Sequence, residues 1–300
     1  MILIISENDE ITTTEIIRWL ISLNKKFIRV HEDEIFEIKT NEKRIYLKSN
    51  RNSFFIDDIS SVWYRRGSLR FYRQKYDDDT INLHMNEYQY WLEDYVRNFL
   101  ENKKHINKES NYHVNKLIVL DIAKEIGFNI PEYFLAENTS DVKINDTIIK
   151  TIAGNGLLQF KDGKRDGLMY TSVVEEKLDE DFFITFFQEK IIKDFEIRTF
   201  YLNEKIWSMA IFSQNDNQTK VDYRKYNKEK PNRNVSYNLP FHVEDKIKNL
   251  MKRLDLNSGS IDFMKSGDQF YFLEVNPIGQ FGNVSCYCNY NLHYEIAKSL

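Results

Sequence analysis

The chain has 300 residues, 42 Lys and Arg against 46 Asp and Glu for a formal charge of −4, and only 10 Gly and 4 Pro. Average usage would give roughly 21 Gly and 15 Pro, so linker-rich, collagen-like and low-complexity classes are excluded. The balanced charge offers no global basic field for nucleic acid, and the longest apolar run, at the N-terminus, is far too short to cross a bilayer.

The start reads strand, turn, helix: Met1 to Ile5 is apolar, Ser6 to Asp9 polar, and Ile16, Ile17, Leu20 and Ile21 recur at helical spacing. Val62-Trp63-Tyr64 forms a short strand ending in Arg65-Arg66-Gly67. The strongest helix opens after Asp77-Asp78-Asp79 and carries Ile81, Met85, Tyr88, Leu92, Tyr95, Val96 and Phe99 as a stripe expected to face one way. A polar stretch from Glu101 to Asn111 sets the expected boundary of a small α/β domain, residues 1–107.

A helix then begins near Tyr112 and stops at Gly127, with Pro131 beyond. Strands are expected at Ile148–Ile152, Leu168–Val174, Phe183–Ile191, Ile197–Leu202 and Ile206–Phe212, the last two joined by a turn at Asn203-Glu204. A helix with Val243, Ile247, Leu250, Met251 and Leu254 on one face leads to Ile261–Met264, a turn at Lys265-Ser266-Gly267 and the strand Phe270–Val275. The pattern is α+β, with antiparallel pairs in the C-terminal two-thirds and further divisions at 108–187 and 188–300.

The 21 Phe, 18 Tyr and 4 Trp can fill a large core and also suit a buried contact in a homo-oligomer. No charged n-region with a long apolar h-region opens the chain, and its two cysteines, Cys286 and Cys288, make neither a disulfide framework nor a standard zinc spacing. A cytoplasmic protein with reduced thiols is expected. The six histidines are scattered and take no assigned role.

Glu274 and Asn276 lie two apart on a strand and leave the same face. A two-residue turn at Ser266-Gly267 would put Asp262 on the opposite face, whereas a three-residue turn, Lys265-Ser266-Gly267, pairs 262 with 270 and gathers Asp262, Glu274 and Asn276. Glycine at the end of a three-residue loop favours the second register. The two carboxylates and the amide oxygen then suit Mg²⁺ carried in with nucleotide phosphates; the alternative is a pair of edge charges, against which stands Phe272 on that expected face.

The stretch GSIDFMKSGDQFYFLEVNPIGQFG resembles the end of an ATP-grasp carboxylate ligase. QEKIIKDFEIRTFYL is similar to that superfamily's adenine hinge and following strand, and VDYRKYN to its D-x-R element. With SVWYRRG, the chain as a whole resembles the ATP-grasp peptide maturases that build graspetides, of the grasp-with-spasm type. The resemblance implies an ATP-grasp fold behind an N-terminal α/β (pre-ATP-grasp) domain. It also implies ATP and Mg²⁺ as cofactors and a precursor peptide, leader and core, as partner.

The implied chemistry transfers a phosphoryl group from ATP to an Asp or Glu side chain of the peptide. A Ser or Thr hydroxyl or a Lys amine then attacks the acyl phosphate, closing an ω-ester or ω-amide ring. By resemblance, Asp262, Glu274 and Asn276 hold Mg²⁺. Lys150 contacts the α/β-phosphates and Lys116 the nucleotide's edge. Gln188, Glu189, Lys190 and Ile191 face adenine, and Glu196 the ribose. Arg198 and Arg224 neutralise the transferring phosphoryl and the acyl phosphate.

Blander readings stand beside these: Lys150 as a surface lysine, Glu196 and Arg198 as a mutual pair, Arg224 as a solvated loop residue. Arg65 and Arg66, expected to point to opposite sides of a strand, fit an ion pair as well as a substrate contact. The glycines of the expected phosphate lid, residues 153–167, are spread out rather than dense. The hairpin at Asn203-Glu204 and a helix near Glu175 to Asp181 are candidates for holding a leader segment. Two other functions remain: an ATP-grasp carboxylate-amine ligase acting on a small molecule or protein tail, and a non-catalytic nucleotide-gated peptide-binding protein.

Overall fold

A computed structural model describes residues 1–152, 170–177, 181–216, 218–225 and 227–300 in full, with the backbone alone of 157–159 and 166–168. The chain divides into two compact units, Met1–His113 with Asn291–Leu300, and Val114–Tyr290.

The first unit contains β1 (Ile2–Ser6), α1 (Ile11–Ser22), β2 (Phe27–His31), β3 (Ile35–Asn41), β4 (Arg44–Lys48), β5 (Ser53–Phe55), β6 (Ser61–Tyr64), β7 (Arg70–Phe71), α2 (Asp79–Glu101) and β8 (Lys104–Ile106). A four-stranded parallel sheet runs β2-β1-β6-β8, and a second sheet runs β5-β4-β3-β7. Strand β1 reads as unbroken apolar sequence because it is buried throughout, as an inner strand of a parallel sheet must be. Helix α2 starts where its sequence places an N-cap: the Asp78 side chain accepts from the Thr80 and Ile81 amides. Its expected stripe does not hold together, since Val96 is buried but Ile81, Tyr88 and Tyr95 are about half exposed.

The second unit contains α3 (Lys116–Ile126), β9 (Tyr133–Ala136), β10 (Thr147–Ile149), β11 (Leu157–Gln159), β12 (Asp166–Leu168), β13 (Ser172–Val173), β14 (Thr185–Glu189), β15 (Phe195–Leu202), β16 (Lys205–Phe212), β17 (Arg233–Tyr237), α4 (Phe241–Arg253), β18 (Ser258–Ser266), β19 (Gln269–Asn276) and α5 (Gly282–Cys288). The closing helix α6 (Leu292–Ser299) returns to the first unit. Helix α3 begins four residues later than its apolar pattern suggests because Asn115 caps it, accepting from the Leu117 and Ile118 amides.

Two sheets matter for the site: β13-β10-β14-β9, and the antiparallel β17-β16-β15-β18-β19. One face of the larger sheet carries Ile197, Tyr201, Ile261, Phe263, Phe272 and Val275 into a core closed by α3 and by Val243, Ile247, Leu250 and Met251 of α4. Full burial stabilises by about 1.5–3 kcal/mol per large side chain, so this face fixes the sheet and aims the opposite face at the site. The expected phosphate lid, 153–167, lies outside the described residues except for the short antiparallel pair β11 and β12. The expected helix at 175–181 is irregular at 175–177, and residues 178–180 lie outside the described residues.

Candidate active site

The final hairpin differs from its expected register. Ser266 pairs with Gln269, so the loop has two residues, Gly267 and Asp268, with Gly267 at φ 52°. Glycine at the first loop position suits a type II′ turn. This register alone would send Asp262 and Glu274 to opposite faces. A β-bulge corrects it. Phe263 pairs with Phe272, yet Asp262 pairs with Glu274, so Leu273 is an extra residue that turns the end of β19 over. Phe272 therefore goes to the core, not to the carboxylate face, while Glu274 and Asn276 face the site.

Arg198 pairs with Asp262 in the same row, so Arg198, Asp262 and Glu274 form a line of alternating charge across β15, β18 and β19. Ser260 and Asn276 form the next row. The loop after β19 closes over this end. A Cβ at Gly259 would come 3.2 Å from the Asn276 carbonyl oxygen, and one at Gly279, where φ is 61°, would come 3.2 Å from the Phe200 ring.

Four cations converge on the two carboxylates. Lys116 Nζ, at the first turn of α3, donates to Glu274 Oε2 at 2.8 Å. Arg198 Nη1 lies 3.7 Å from Asp262 Oδ2 and donates to the Tyr223 hydroxyl at 2.7 Å. Burial works to raise Glu274, but the Lys116 and Lys150 charges outweigh it and hold its carboxyl down to about 2. Asp262 goes the other way: burial raises it, with Arg198 as the main opposing charge. Lys150, just past β10, is pulled down to about 8 by burial and then by the Lys116 charge. It is thus no ordinary surface lysine.

Glu196 does not pair with Arg198. Its carboxylate takes a hydrogen bond from Lys193, and both groups are buried; Lys193 also donates to the Val221 carbonyl at 3.1 Å. Burial raises the Glu196 carboxyl, Lys193 opposing it. Arg224 is no free loop residue either. Its guanidinium grips Asp222 through Nε at 2.9 Å and Nη2 at 2.6 Å, and Asp222 also accepts from the Thr171 amide at 3.0 Å. Two consecutive residues thus hold both arginines, Asp222 binding Arg224 and Tyr223 binding Arg198. Asp222, Tyr223 and Lys193 drew no sequence-based role; the only signal for the first two was their place inside the D-x-R resemblance.

At the hinge, the Glu189 amide donates to Glu132 at 2.7 Å and the Lys190 amide to Asp146 at 2.9 Å, so neither N–H is left for a base. Gln188 beside them is buried, and neither its Oε1 nor its Nε2 has a partner among the described residues. A buried amide without partners carries a penalty of about 1–3 kcal/mol, which a polar ligand would relieve. Arg198 Nε is buried and unpartnered in the same way. Among the described residues no three of His, Cys, Asp and Glu converge, so the hard-oxygen donors number two carboxylates and the Asn276 amide. That set fits Mg²⁺, which binds through one or two carboxylates plus phosphate oxygens.

Arg65 and Arg66 lie in the other unit, past the end of β6 rather than on a strand, and do not point to opposite sides. Both reach Glu10, Arg65 at 3.2 Å and Arg66 at 3.4 Å. Arg65 and Glu10 are largely buried, so the ion-pair reading holds for this couple.

No family model and no curated protein matches the sequence. Solved structures do match. A RiPP-associated ATP-grasp ligase of Chryseobacterium gregarium, in complex with ADP and a leader and core peptide, is 24% identical over 99% of this chain and 94% of its own, with a TM-score of 0.77. The macrocyclase MdnC of Microcystis aeruginosa MRC, bound with precursor peptide MdnA, is 23% identical over 99% and 98%, TM-score 0.74. The ATP-grasp ligase PsnB, complexed with minimal precursor, Mg and ADP, is 14% identical over 99% and 96%, TM-score 0.67. The chain therefore has the ATP-grasp fold, in the α+β form expected. Among the described residues no helix is long and apolar enough to cross a membrane.

Proposed function

We propose that the chain is an ATP-dependent ligase that activates Asp or Glu side chains of a ribosomal precursor peptide and joins them to hydroxyls or amines of the same peptide. The observation that carries this reading is the row Arg198, Asp262, Glu274 with Lys116 and Lys150 around it. It pairs a hard-cation donor set with cations suited to phosphate. Support comes also from the neighbours of the same fold, which hold ADP, Mg and precursor peptides. The non-catalytic binder is disfavoured, because binding alone requires no such array.

Asp262, Glu274 and Asn276 would hold Mg²⁺, which would supply neutralisation of phosphate charge. Lys150 would bind α/β-phosphates, Lys116 the nucleotide's edge and Glu196 the ribose. Gln188 and the remaining hinge groups of Glu189, Lys190 and Ile191 would meet adenine, through carbonyls and the Ile191 amide. Arg198 and Arg224, held by Tyr223 and Asp222, would bind the anionic oxygens of the reacting carboxylate and phosphoryl. A carboxylate oxygen attacks the γ-phosphorus and ADP leaves. A hydroxyl or amine then attacks the acyl carbon, phosphate leaves, and the nucleophile's proton is released to water. The unit Val114–Tyr290 would divide near residue 188 into a lid-bearing and a metal-bearing half. The cytoplasm, with its ATP and reduced thiols, is the compartment this chemistry suits.

The test is co-expression with a short peptide encoded beside the gene, followed by intact mass. Loss of one water per crosslink is expected. An unchanged peptide mass, with the ligase folded and ATP-bound, would count against peptide ligation and in favour of a small-molecule or protein-tail substrate.

A further inference from the structure

A buried lysine ties the hinge to the loop that holds the two arginines. Lys193 lies two residues past Ile191, and its backbone is pinned on both sides. Ser266 Oγ donates to the Ile192 carbonyl at 2.7 Å, and the Asp194 amide donates to the Lys265 carbonyl at 2.7 Å. From this fixed post the Lys193 side chain runs inward, where the residue is only 6% exposed. Its Nζ donates to Glu196 Oε1 on β15 and to the Val221 carbonyl at 3.1 Å.

Val221 leads directly into Asp222, Tyr223 and Arg224. Residues 218–225 form neither strand nor helix, so side-chain contacts rather than a backbone ladder place them. Two anchors fall on consecutive residues: the Val221 carbonyl accepts from Lys193, and the Asp222 carboxylate accepts from the Thr171 amide at 3.0 Å. Past these anchors, the Tyr223 hydroxyl takes its bond from Arg198, and Arg224 grips Asp222. A shift at Val221 is therefore passed on to both guanidiniums. A lysine serving only as counter-ion to Glu196 has no need of the second bond.

We propose that Lys193 is a positioning residue for the ligation: through the Val221 carbonyl it sets the loop that aims Arg198 and Arg224 at the reacting carboxylate and phosphoryl. The catalytic part of this inference rests on the proposed function; the placement of the loop does not.

Two readouts test it, one of them independent of catalysis. The Arg224 amide donates to Asp222 Oδ1 at 3.0 Å and the Lys225 amide to the Asp222 carbonyl at 3.1 Å. In Lys193→Met both amides are expected to exchange hydrogen at least about tenfold faster, with β15 and β18 unchanged. With the precursor peptide, kcat is expected to fall about 100-fold, the cost of a misplacement on the order of an ångström, while ADP affinity measured by calorimetry falls no more than about tenfold. The double variant Lys193→Met/Glu196→Gln removes the buried charge pair as a unit, so it decides the matter even where the lone substitution unfolds the chain. It is expected to keep the fast exchange and the low kcat, because the Val221 carbonyl is still untied. Glu196→Gln alone is expected to weaken ADP binding and leave the exchange slow. Slow exchange at Arg224 and Lys225 in Lys193→Met, its recovery in the double variant, or fast exchange with wild-type kcat would each overturn the proposal. A wild-type chain that binds ADP but ligates no peptide would count against the proposed function instead, and the exchange comparison would still decide what Lys193 holds.

Discussion

Lys116 Nζ donates to Glu274 Oε2 at 2.8 Å, a contact between the first turn of α3 and the last strand, 158 residues on. The pair sets a positive charge against the Glu274 end of the carboxylate row. Under the proposed function, Glu274→Gln removes one metal oxygen's charge and leaves Lys116 without its anion. Turnover is expected to fall by at least about 100-fold, since even groups that only support a metal ligand cost 10–100-fold. The folded spectrum should persist, because Glu274 projects from the face opposite the core. A variant with wild-type turnover would refute the metal assignment.

Lys150 supplies a pH dependence. Its amine is pulled down to about 8 in the nucleotide-free protein, so it is charged below that pH and neutral above it. Phosphate favours the charged form, so nucleotide binding takes up a proton above pH 8. ADP affinity should therefore weaken by up to tenfold per pH unit from about 8 upward. The stability sign follows too: the unfolded chain, with its lysine near 10.5, binds more protons between 8 and 10.5, so this group's contribution to stability rises with pH across that window. Calorimetric titration of ADP across pH 7 to 10 checks the first point; a flat affinity would contradict it.

How far the sequence revealed the site depends on what kind of contact makes it. The apolar stretches Ile261–Met264 and Phe270–Val275, interrupted only by Asp262 and Glu274, identify β18 and β19, and side-chain chemistry singles out Asp262, Glu274 and Asn276. The register was another matter. One extra residue at Leu273 changes neither composition nor turn chemistry, so a regular ladder with a three-residue loop reached the right face by the wrong pairing. Lys193 escaped notice because its bond to Glu196 spans an irregular segment with no periodicity to read. The stripe on α2 combined a core face with an outward one, which helical spacing alone does not separate.

Tyr223 accepts a hydrogen bond from Arg198 and so orients a guanidinium otherwise held by Asp262. Burial, and then the Asp262 charge, push its phenol well above the ordinary range, so it stays protonated and keeps an O–H to donate. Tyr223→Phe should lower kcat about tenfold, roughly the net worth of one charge-assisted hydrogen bond, and leave the KM for ATP within about twofold. Equal losses in kcat and in ATP affinity would mean that the residue acts only as packing.

Two glycines separate backbone strain from steric conflict. At Gly267 φ is 52° and a Cβ meets nothing within 4 Å, so Gly267→Ala should cost only the left-handed penalty, about 1–2 kcal/mol. At Gly279 φ is 61° and a Cβ would also press on Phe200 and the Gly259 backbone, so Gly279→Ala should cost more. Chemical denaturation of both variants gives the comparison. Equal losses would show that the loop after β19 yields without resistance.

The most direct measurement is a reconstituted reaction with the purified chain, Mg²⁺, ATP and its precursor peptide, following peptide mass and nucleotide products together. One ADP formed for each water lost from the peptide is expected, with no AMP, and neither product with Glu274→Gln. Water loss without ATP, AMP as the product, or ADP release with no change in the peptide would contradict carboxylate activation at this site.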